Sequence, residues 1–130
     1  MAGEVVGEIG AGLCVLLGVA RGDEQSDAER LARRVARLRI FENENGKFDH
    51  SLVDTGGAAL VVSQFTLIAD TAKGNRPSFI EAADPEAAEG LYEDFCAALT
   101  KLDVPVETGV FGARMRVEIA NEGPVTIVLG

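Results

Sequence analysis

The sequence contains few of the residues that mark catalytic or metal-binding sites. Its 130 residues include no tryptophan, one tyrosine, one histidine and two cysteines. The lone histidine, His50, lies in a polar turn, where a histidine is most often a surface residue. No serine lies in a G-x-S-x-G motif, no cysteine has zinc-ligand spacing, and the glycines form no phosphate-binding loop. A serine triad, a cysteine nucleophile and a zinc-bound water are therefore poorly supported, and we expect no metal and no cofactor.

Long apolar segments are also missing. No run reaches the eighteen or so residues of a membrane span, and the first residues lack the basic start and apolar block of a signal peptide. Cys14 and Cys96 lie far apart in apolar contexts, which favours free buried thiols over a disulfide or a metal pair. We therefore expect a cytoplasmic protein without a membrane partner.

Basic residues are outnumbered. The 12 Lys and Arg residues against 21 Asp and Glu residues give a net charge of −9, which counts against a general nucleic-acid binder. Five arginines nevertheless fall within ten positions, namely Arg30, Arg33, Arg34, Arg37 and Arg39. They form either a local basic surface or a solvated helix face paired with nearby acids, and the second case is favoured.

The remaining composition is that of a globular domain. Hydrophobic residues make up 47% of the chain and charged residues 25%, which permits a core and argues against disorder. Residues 1–130 show no repeat, linker or low-complexity tract, and they predict a single domain.

Several segments carry the pattern of β-strands. The almost unbroken apolar runs at 12–20 and 59–68 are typical of strands buried on both faces, whereas 115–119 alternates as a half-buried strand does. Further strands are predicted at residues 4–9, 104–111 and 125–129.

Two segments carry helical signals, and a turn is predicted between them at E-N-E-N-G-K. Ser26 and Glu29 form a capping box that predicts a helix over residues 27–40. Asp84 followed by Pro85 starts the second helix. Its predicted buried stripe is Ala88, Leu91, Phe95, Ala98 and Leu102. Together these elements predict an α+β or mixed α/β fold, in which two main helices pack on a barrel-like sheet.

Two polar stretches require an explanation. S-Q-F-T at residues 63–66 lies within the apolar run, where an unbonded buried polar group costs about 1–3 kcal/mol. Its polar side chains lie either on a merely solvated strand face, which periodicity favours, or at a strand end that lines a cleft. N-E-G-P at residues 121–124 indicates a hairpin connection on turn chemistry alone.

Taken together, these stretches resemble the D-aminoacyl-tRNA deacylases of the widespread bacterial and eukaryotic type. S-Q-F-T-L at residues 63–67 and N-x-G-P-V-T at residues 121–126 match the two motifs of that family. Four supporting segments match in chain order: L-R-I-F-E at 38–42, K-G-N-R-P-S-F at 73–79, L-Y-E-D-F at 91–95 and E-T-G-V-F-G-A-R-M at 107–115. The resemblance covers almost the whole chain.

The resemblance implies a homodimeric editing hydrolase that cleaves the ester of D-aminoacyl-tRNA at the 3′-terminal ribose. Gly123 and Pro124 of one subunit, joined by a cis bond, would enter the active site of the other and exclude L-amino acids sterically. Glycine mischarged onto tRNA would be accepted. The terminal 2′-hydroxyl of the RNA would assist the attack, and no DNA partner is implied.

The resemblance also implies site residues. The implied catalytic positions are Ser63, Gln64, Phe65 and Thr66. Backbone N–H groups near Phe65 and Thr66 are candidate oxyanion donors, whereas Thr66 as a covalent nucleophile is disfavoured because no base stands beside it. The expected substrate-binding positions are Phe111, Gly112, Met115, Asn121, Gly123 and Pro124, with Lys73 and Arg76 as phosphate contacts inferred from charge and loop position.

The match has one large departure. Members of the family usually begin with another strand, carrying a Gln-Arg-Val stretch, before the segment that corresponds to residues 3–7. This sequence shows no such stretch, so a catalytically silent RNA-end or protein-binding homodimer of the same fold remains the alternative. The related animal-type deacylases are disfavoured because their motifs differ.

Overall fold

The structure, a computed structural model, describes residues 11–112, 117, 119 and 126–130. In chain order its elements are β1 (Gly12–Leu17), α1 (Gln25–Arg37), β2 (Phe41–Glu42), β3 (Phe48–His50), α2 (Leu52–Thr55), β4 (Ala58–Ser63), a 3₁₀ turn (Phe65–Leu67), α3 (Pro85–Lys101) and β5 (Val106–Thr108). The predicted mixed α/β class with two main helices, α1 and α3, is confirmed. The predicted partner strand at 4–9 lies outside the described residues.

The central sheet of the described residues has three parallel strands in the order β1–β4–β5. Parallel neighbours need a crossover connection, and α1 lies within the first crossover and α3 within the second. The register aligns Gly12 with Ala58 and Leu17 with Ser63, so β1 and β4 end at the same edge. The carboxyl ends of two adjacent strands are therefore brought together there.

A second, two-stranded sheet joins β2 to β3 in antiparallel fashion. The turn predicted at E-N-E-N-G-K connects them and is confirmed: the Asn43 N–H donates to the Lys47 carbonyl at 2.8 Å. His50 ends β3 with an exposed side chain, as expected of a surface histidine.

Helix α1 differs from its prediction at both ends. It begins at Gln25, with Glu24 as the N-cap residue, and the Asp27 carboxylate accepts from the Glu24 N–H at 2.8 Å. The predicted capping box of Ser26 and Glu29 is therefore wrong, because an aspartate three residues after Glu24 satisfies that N–H instead. The helix ends at Arg37, three residues before the predicted end, since Leu38 is extended.

Strand β4 is shorter than the apolar run that predicted it. It ends at Ser63, and the next three residues form a 3₁₀ turn. The turn is closed by the Leu67 N–H donating to the Gln64 carbonyl at 3.2 Å and by the Ile68 N–H donating to the Phe65 carbonyl at 3.0 Å. The predicted strand over 59–68 is therefore wrong beyond Ser63.

Helix α3 begins where the sequence predicts. The Asp84 side chain accepts from the Ala87 N–H at 2.9 Å, and Pro85 takes the first helical position, where a missing N–H costs nothing. Its buried face is Ala88, Tyr92, Phe95 and Leu99. Three members of the predicted stripe, Leu91, Ala98 and Leu102, are only half-buried, because the helix presents an adjacent face to the core.

The strands predicted after α3 are only partly found. Within the predicted 104–111 segment, β5 spans Val106–Thr108. The described residues 117, 119 and 126–130 adopt no strand, so the predictions of strands at 115–119 and 125–129 are wrong for these positions. The rest of the 115–119 segment and Val125 lie outside the described residues.

One hydrophobic core joins both main helices to the central sheet. Its largest fully buried side chains are Phe95, Leu52, Leu99, Val61 and Val104. Burial of each such side chain contributes about 1.5–3 kcal/mol. Cys14 and Cys96 are free thiols, as predicted, although both are half-buried rather than fully buried. Among the described residues, no helix has the length and apolar character that a membrane crossing requires.

Candidate active site

The S-Q-F-T stretch leaves the central sheet at the carboxyl ends of β4 and β1. Ser63 is the last residue of β4 and pairs with Leu17. The Gln64 N–H then donates to the Leu17 carbonyl at 2.8 Å, which holds the exit of the chain against β1. Ligands of parallel sheets bind outside the carboxyl ends of the strands, so this edge is a physically favoured place for a site.

The 3₁₀ turn that follows carries two backbone N–H groups that donate to no acceptor among the described residues. Phe65 and Thr66 are its first residues, and the N–H groups of the first residues of a helical turn have no acceptor within that turn. Both residues are exposed, and the Gln64 side-chain amide donates to the Thr66 hydroxyl. The side chains of Gln64 and Thr66 therefore meet just beyond a strand end, and the interpretation as a solvated strand face is wrong for residues 65–67, which are not in a strand.

Thr66 has no general base among its described contacts. Its hydroxyl oxygen accepts from the Gln64 amide, and an amide does not take up a proton at neutral pH. No group of three or more His, Cys, Asp or Glu side chains in the described part of the chain could hold a metal ion. The turn thus presents fixed hydrogen-bond donors rather than an activated nucleophile, which suits it to binding developing negative charge.

Gly18 packs closely against the turn, a contact that was not predicted from the sequence. A Cβ atom built on Gly18 would lie 3.0 Å from the Leu67 Cβ and 3.3 Å from side-chain atoms of Ile68. The backbone of residue 18 and the turn are therefore in close approach. The glycine at the end of the first apolar run was the available sequence signal, because a glycine in a strand pattern often marks such an approach.

An aromatic contact joins the turn to the following loop. Phe65 is 57% exposed, and its ring meets Phe79 edge to face with ring centroids 5.0 Å apart. The loop between them is closed by reciprocal backbone hydrogen bonds of Asp70 and Ser78, at 2.7 and 2.8 Å. Phe79 was missed as a site residue, although it ends the K-G-N-R-P-S-F segment.

The two predicted phosphate contacts lie on that closed loop. Lys73 and Arg76 fall between Asp70 and Ser78, and both side chains are exposed. The Ala72 N–H donates to the Asp70 carboxylate at 2.9 Å, which shapes the first part of the loop. Lys73 and Arg76 therefore lie in the loop that directly precedes Phe79, the residue that packs on Phe65.

Phe111 lies in a different contact. Its half-buried ring is 5.8 Å from that of Tyr92, whose hydroxyl donates to the Val61 carbonyl at 2.8 Å, and burial raises the pKa of Tyr92. The two rings line a cavity of about 320 Å³ between α3 and the end of β5, together with Thr108 and Cys96. Gly112 follows, exposed, with a φ of +75° that favours glycine. The contacts described for Phe111 thus join it to α3 rather than to S-Q-F-T.

Four predicted substrate-binding residues belong to the C-terminal segment that carries the second motif or directly precedes it. Met115, Asn121, Gly123 and Pro124 lie outside the described residues. Their roles stay predictions that depend on the resemblance.

Comparison with known proteins agrees with the two motifs. The sequence profile of the D-Tyr-tRNA(Tyr) deacylase family matches residues 1–130. The chain is 60% identical over 129 residues to a D-aminoacyl-tRNA deacylase of Chloroflexus aurantiacus, covering 99% of this chain and 81% of the relative. It is 59% identical over 127 residues to a D-aminoacyl-tRNA deacylase of Thermomicrobium roseum, covering 98% and 82%.

Solved structures show the same fold. One, described as a c-Myc DNA unwinding element binding protein, superposes with a TM-score of 0.85 at 45% identity and covers 92% of this chain and 81% of its own. Another, a probable eukaryotic D-amino acid tRNA deacylase, has a TM-score of 0.60 at 17% identity, with 78% and 74% covered, and shows a likeness of fold alone. The chain therefore belongs to the D-Tyr-tRNA(Tyr) deacylase family and is an enzyme, a hydrolase of the D-aminoacyl-tRNA deacylase class.

Proposed function

We propose that this enzyme hydrolyses the ester that joins a D-amino acid to the 3′-terminal ribose of tRNA, and that the 3₁₀ turn after β4 binds the reacting ester. The observation that carries the proposal is the pair of N–H groups of Phe65 and Thr66, which have no acceptor in the described part of the chain and lie beside the hydrogen-bonded side chains of Gln64 and Thr66. The oxygen of a tetrahedral ester intermediate carries developing negative charge. Two fixed N–H donors stabilise that charge, and losing one such donor typically slows a reaction about 10²–10³-fold.

The protein need not supply a nucleophile for this reaction. The substrate itself carries a 2′-hydroxyl adjacent to the ester, and this hydroxyl assists the attacking water in our proposal. Ser63, Gln64 and Thr66 then orient the ester, a positioning effect that lowers the barrier without an acid–base pair. Within residues 11–112, the Thr66 hydroxyl is hydrogen-bonded to the Gln64 amide and to no base, which supports this assignment over a covalent threonine intermediate. No cofactor takes part.

The acceptor end of the tRNA lies along the loop after the turn in this proposal. Lys73 and Arg76 provide exposed positive charge for its phosphates, and the exposed ring of Phe65 provides an apolar surface beside the ester. Phe79 holds the Phe65 ring in place through their edge-to-face contact. The loop therefore contributes both the phosphate contacts and the support of the turn.

Selection against L-amino acids is proposed to be steric. Gly123 and Pro124 of a second subunit, together with Asn121, form the wall that an L-side chain would strike, and Phe111, Gly112 and Met115 complete the pocket. A D-side chain points away from the wall, and glycine has none, so glycyl-tRNA is also a substrate. The proposal requires a homodimer, which a mass determination by light scattering after gel filtration tests directly.

The decisive experiment compares matched D-tyrosyl-tRNA and L-tyrosyl-tRNA and follows loss of the ester. Rapid loss of the D-ester alone, with glycyl-tRNA also cleaved, is the expected result. Loss of both tyrosyl esters at similar rates contradicts the proposed wall, and loss of neither leaves a silent binding dimer of this fold. Duplex DNA serves as a competitor, because one structural relative is described as binding a DNA element. We expect duplex DNA to compete much more weakly than uncharged tRNA, because DNA lacks the 3′-terminal ribose with its 2′-hydroxyl that the turn binds in this proposal, and the net charge of −9 disfavours general phosphate binding.

A further inference from the structure

The exposed face of α1 carries four of the five clustered arginines. Successive residues of an α-helix are about 100° apart around its axis, so Arg30, Arg33, Arg34 and Arg37 fall within an arc of about 100°. All four are exposed, whereas Ala32, Val35 and Ala36 on the opposite side are buried. We call these four residues the arginine face. It is a concentrated positive surface on a protein whose net charge is −9.

Two members of the arginine face already have partners. Arg30 lies 3.7 Å from the Asp27 carboxylate, and Arg34 donates to the main-chain oxygen of Gly130 at 3.1 Å. The fifth arginine of the cluster, Arg39, lies outside this face and pairs with Asp49. Arg33 and Arg37 form no ion pair among the described residues. The favoured interpretation of a solvated face paired with acids therefore holds for only part of the cluster.

The arginine face begins beside the proposed ester site. A cavity of about 260 Å³ is lined by Arg30 on one side and by Gly18 and Ile68 on the other. Ile68 directly follows the 3₁₀ turn, and Gly18 supports it. From this cavity, the seven residue steps from Arg30 to Arg37 extend along the helix for about 10 Å. A polyanion that has its end at the turn and runs along α1 therefore lies next to the positive charges of the arginine face.

Acidic residues on the same cavity restrict where a phosphate can bind. Asp23, Glu24 and Asp27 also line it, at the N-terminal end of α1. They repel phosphate from the part of the rim next to Arg30. Phosphate contact is therefore expected farther along the helix, where Arg33 and Arg37 form no ion pair with a carboxylate of the described residues.

We infer that Arg33 and Arg37 bind backbone phosphates of the substrate tRNA on the 5′ side of its 3′-terminal ribose. The inference rests on the proposed function, because it takes the tRNA ester to lie at the turn. Phosphate contacts of this kind position a nucleic acid and add affinity without reading its sequence. The arginine face therefore lowers KM for whole tRNA and leaves the chemical step unchanged.

The test compares Arg33→Gln/Arg37→Gln with the wild type on two substrates. On D-tyrosyl-tRNA, KM should rise on the order of ten-fold with kcat unchanged, and the slope of log(kcat/KM) against log[salt] should become shallower by about 1 for each arginine removed. On D-tyrosyl-adenosine, which lacks backbone phosphates, the two proteins should be equal. The charge-preserving Arg33→Lys/Arg37→Lys variant should retain most of the affinity for tRNA.

A matched control removes the same charge elsewhere. Lys47→Gln/Lys101→Gln takes two exposed cations from the β2–β3 turn and the end of α3. If the control raises KM for D-tyrosyl-tRNA as much as the arginine variant does, the effect is one of net charge and the inference is overturned. An unchanged KM and salt slope in the arginine variant overturns it as well. So does a lower oligomeric mass of that variant, which would assign the arginine face to contact with a second copy.

A binding measurement distinguishes failure of the proposed catalytic function from failure of this inference. Binding of uncharged tRNA is measured by fluorescence anisotropy for the same three double variants. If the wild type cleaves neither ester but binds tRNA, and only the arginine-to-glutamine variant binds on the order of ten-fold more weakly, the proposed function fails while the arginine face stands. Equal binding by all proteins overturns the arginine face whatever the activity.

Discussion

Replacing Gly18 by alanine should slow the enzyme without unfolding it. Carbon atoms pack best at about 3.5–4.0 Å. The new Cβ would lie 3.0 Å from the Leu67 Cβ, so one of the two must move by about 0.5 Å. The Leu67 Cβ is bonded directly to the backbone of the 3₁₀ turn, and its displacement carries the Phe65 and Thr66 N–H groups with it.

The size of the effect follows from this displacement. A misplacement of about 1 Å at a reacting centre costs on the order of 10²-fold in rate, so half that distance should cost on the order of ten-fold. Overpacking costs about 1–3 kcal/mol of folding free energy, and the lower entropy of the unfolded alanine chain offsets about 0.4–1 kcal/mol. The net loss of stability should therefore be about 1 kcal/mol.

The assay measures single-turnover cleavage of saturating D-tyrosyl-tRNA, and urea unfolding reports stability. Gly90→Ala is the matched control, because Gly90 lies within α3 and a Cβ there meets nothing within 4 Å. It should stabilise the protein by about 0.5–1 kcal/mol and leave the rate unchanged. A Gly18→Ala protein that cleaves at the wild-type rate would refute the reasoning that the position of the turn governs hydrolysis.

Three further predictions test the fold and its ionisable groups. Gly12→Ala should lower the free energy of unfolding, measured in urea, by at least about 3 kcal/mol, because the new Cβ would lie 1.8 Å from the Ala58 carbonyl oxygen of the paired strand. A near-normal free energy of unfolding would contradict that strand pairing. The hydrogen bond from Arg39 holds the pKa of Asp49 below its ordinary 3.8. The ionised carboxylate therefore stabilises the fold at pH values above its ordinary pKa, and this contribution is lost as the pH falls through the lowered pKa. Asp49→Asn should accordingly flatten the loss of stability below about pH 4, and an unaltered acid titration would disprove the interaction. Burial, and secondarily the charge of a neighbouring glutamate, raises the pKa of Cys96 to about 11, so alkylation by iodoacetamide at pH 8 should be much slower than for a free thiol; rapid labelling of the native protein would show the site to be open.

Some features of this protein could be predicted because they depend on local backbone chemistry. Asp84 and Pro85 start α3 where expected, since an acceptor at the N-cap and a residue without an N–H at the first position both suit a helix start in any surroundings. The turn between β2 and β3 likewise follows from its Asn and Gly residues. Family membership followed from two motifs whose residue types and spacing can be read directly from the chain.

Other features could not be predicted because they depend on what covers each residue. The apolar run at 59–68 predicted that Phe65 and Leu67 lie in a buried strand. The structure instead exposes both on a turn after β4. The choice between neighbouring faces of α3 was decided by packing against α1 and the sheet, which placed Tyr92 and Leu99 in the core.

The sequence by itself therefore determined the fold class, the start of α3 and membership of the deacylase family. Only the tertiary structure decided that this segment leaves the sheet beside Leu17, that Gly18 supports it and that Phe79 packs on it. The physical reason is that these contacts join residues distant along the chain. Periodicity and turn chemistry describe only neighbours in sequence, whereas close approach between distant backbones is set by how the whole core packs.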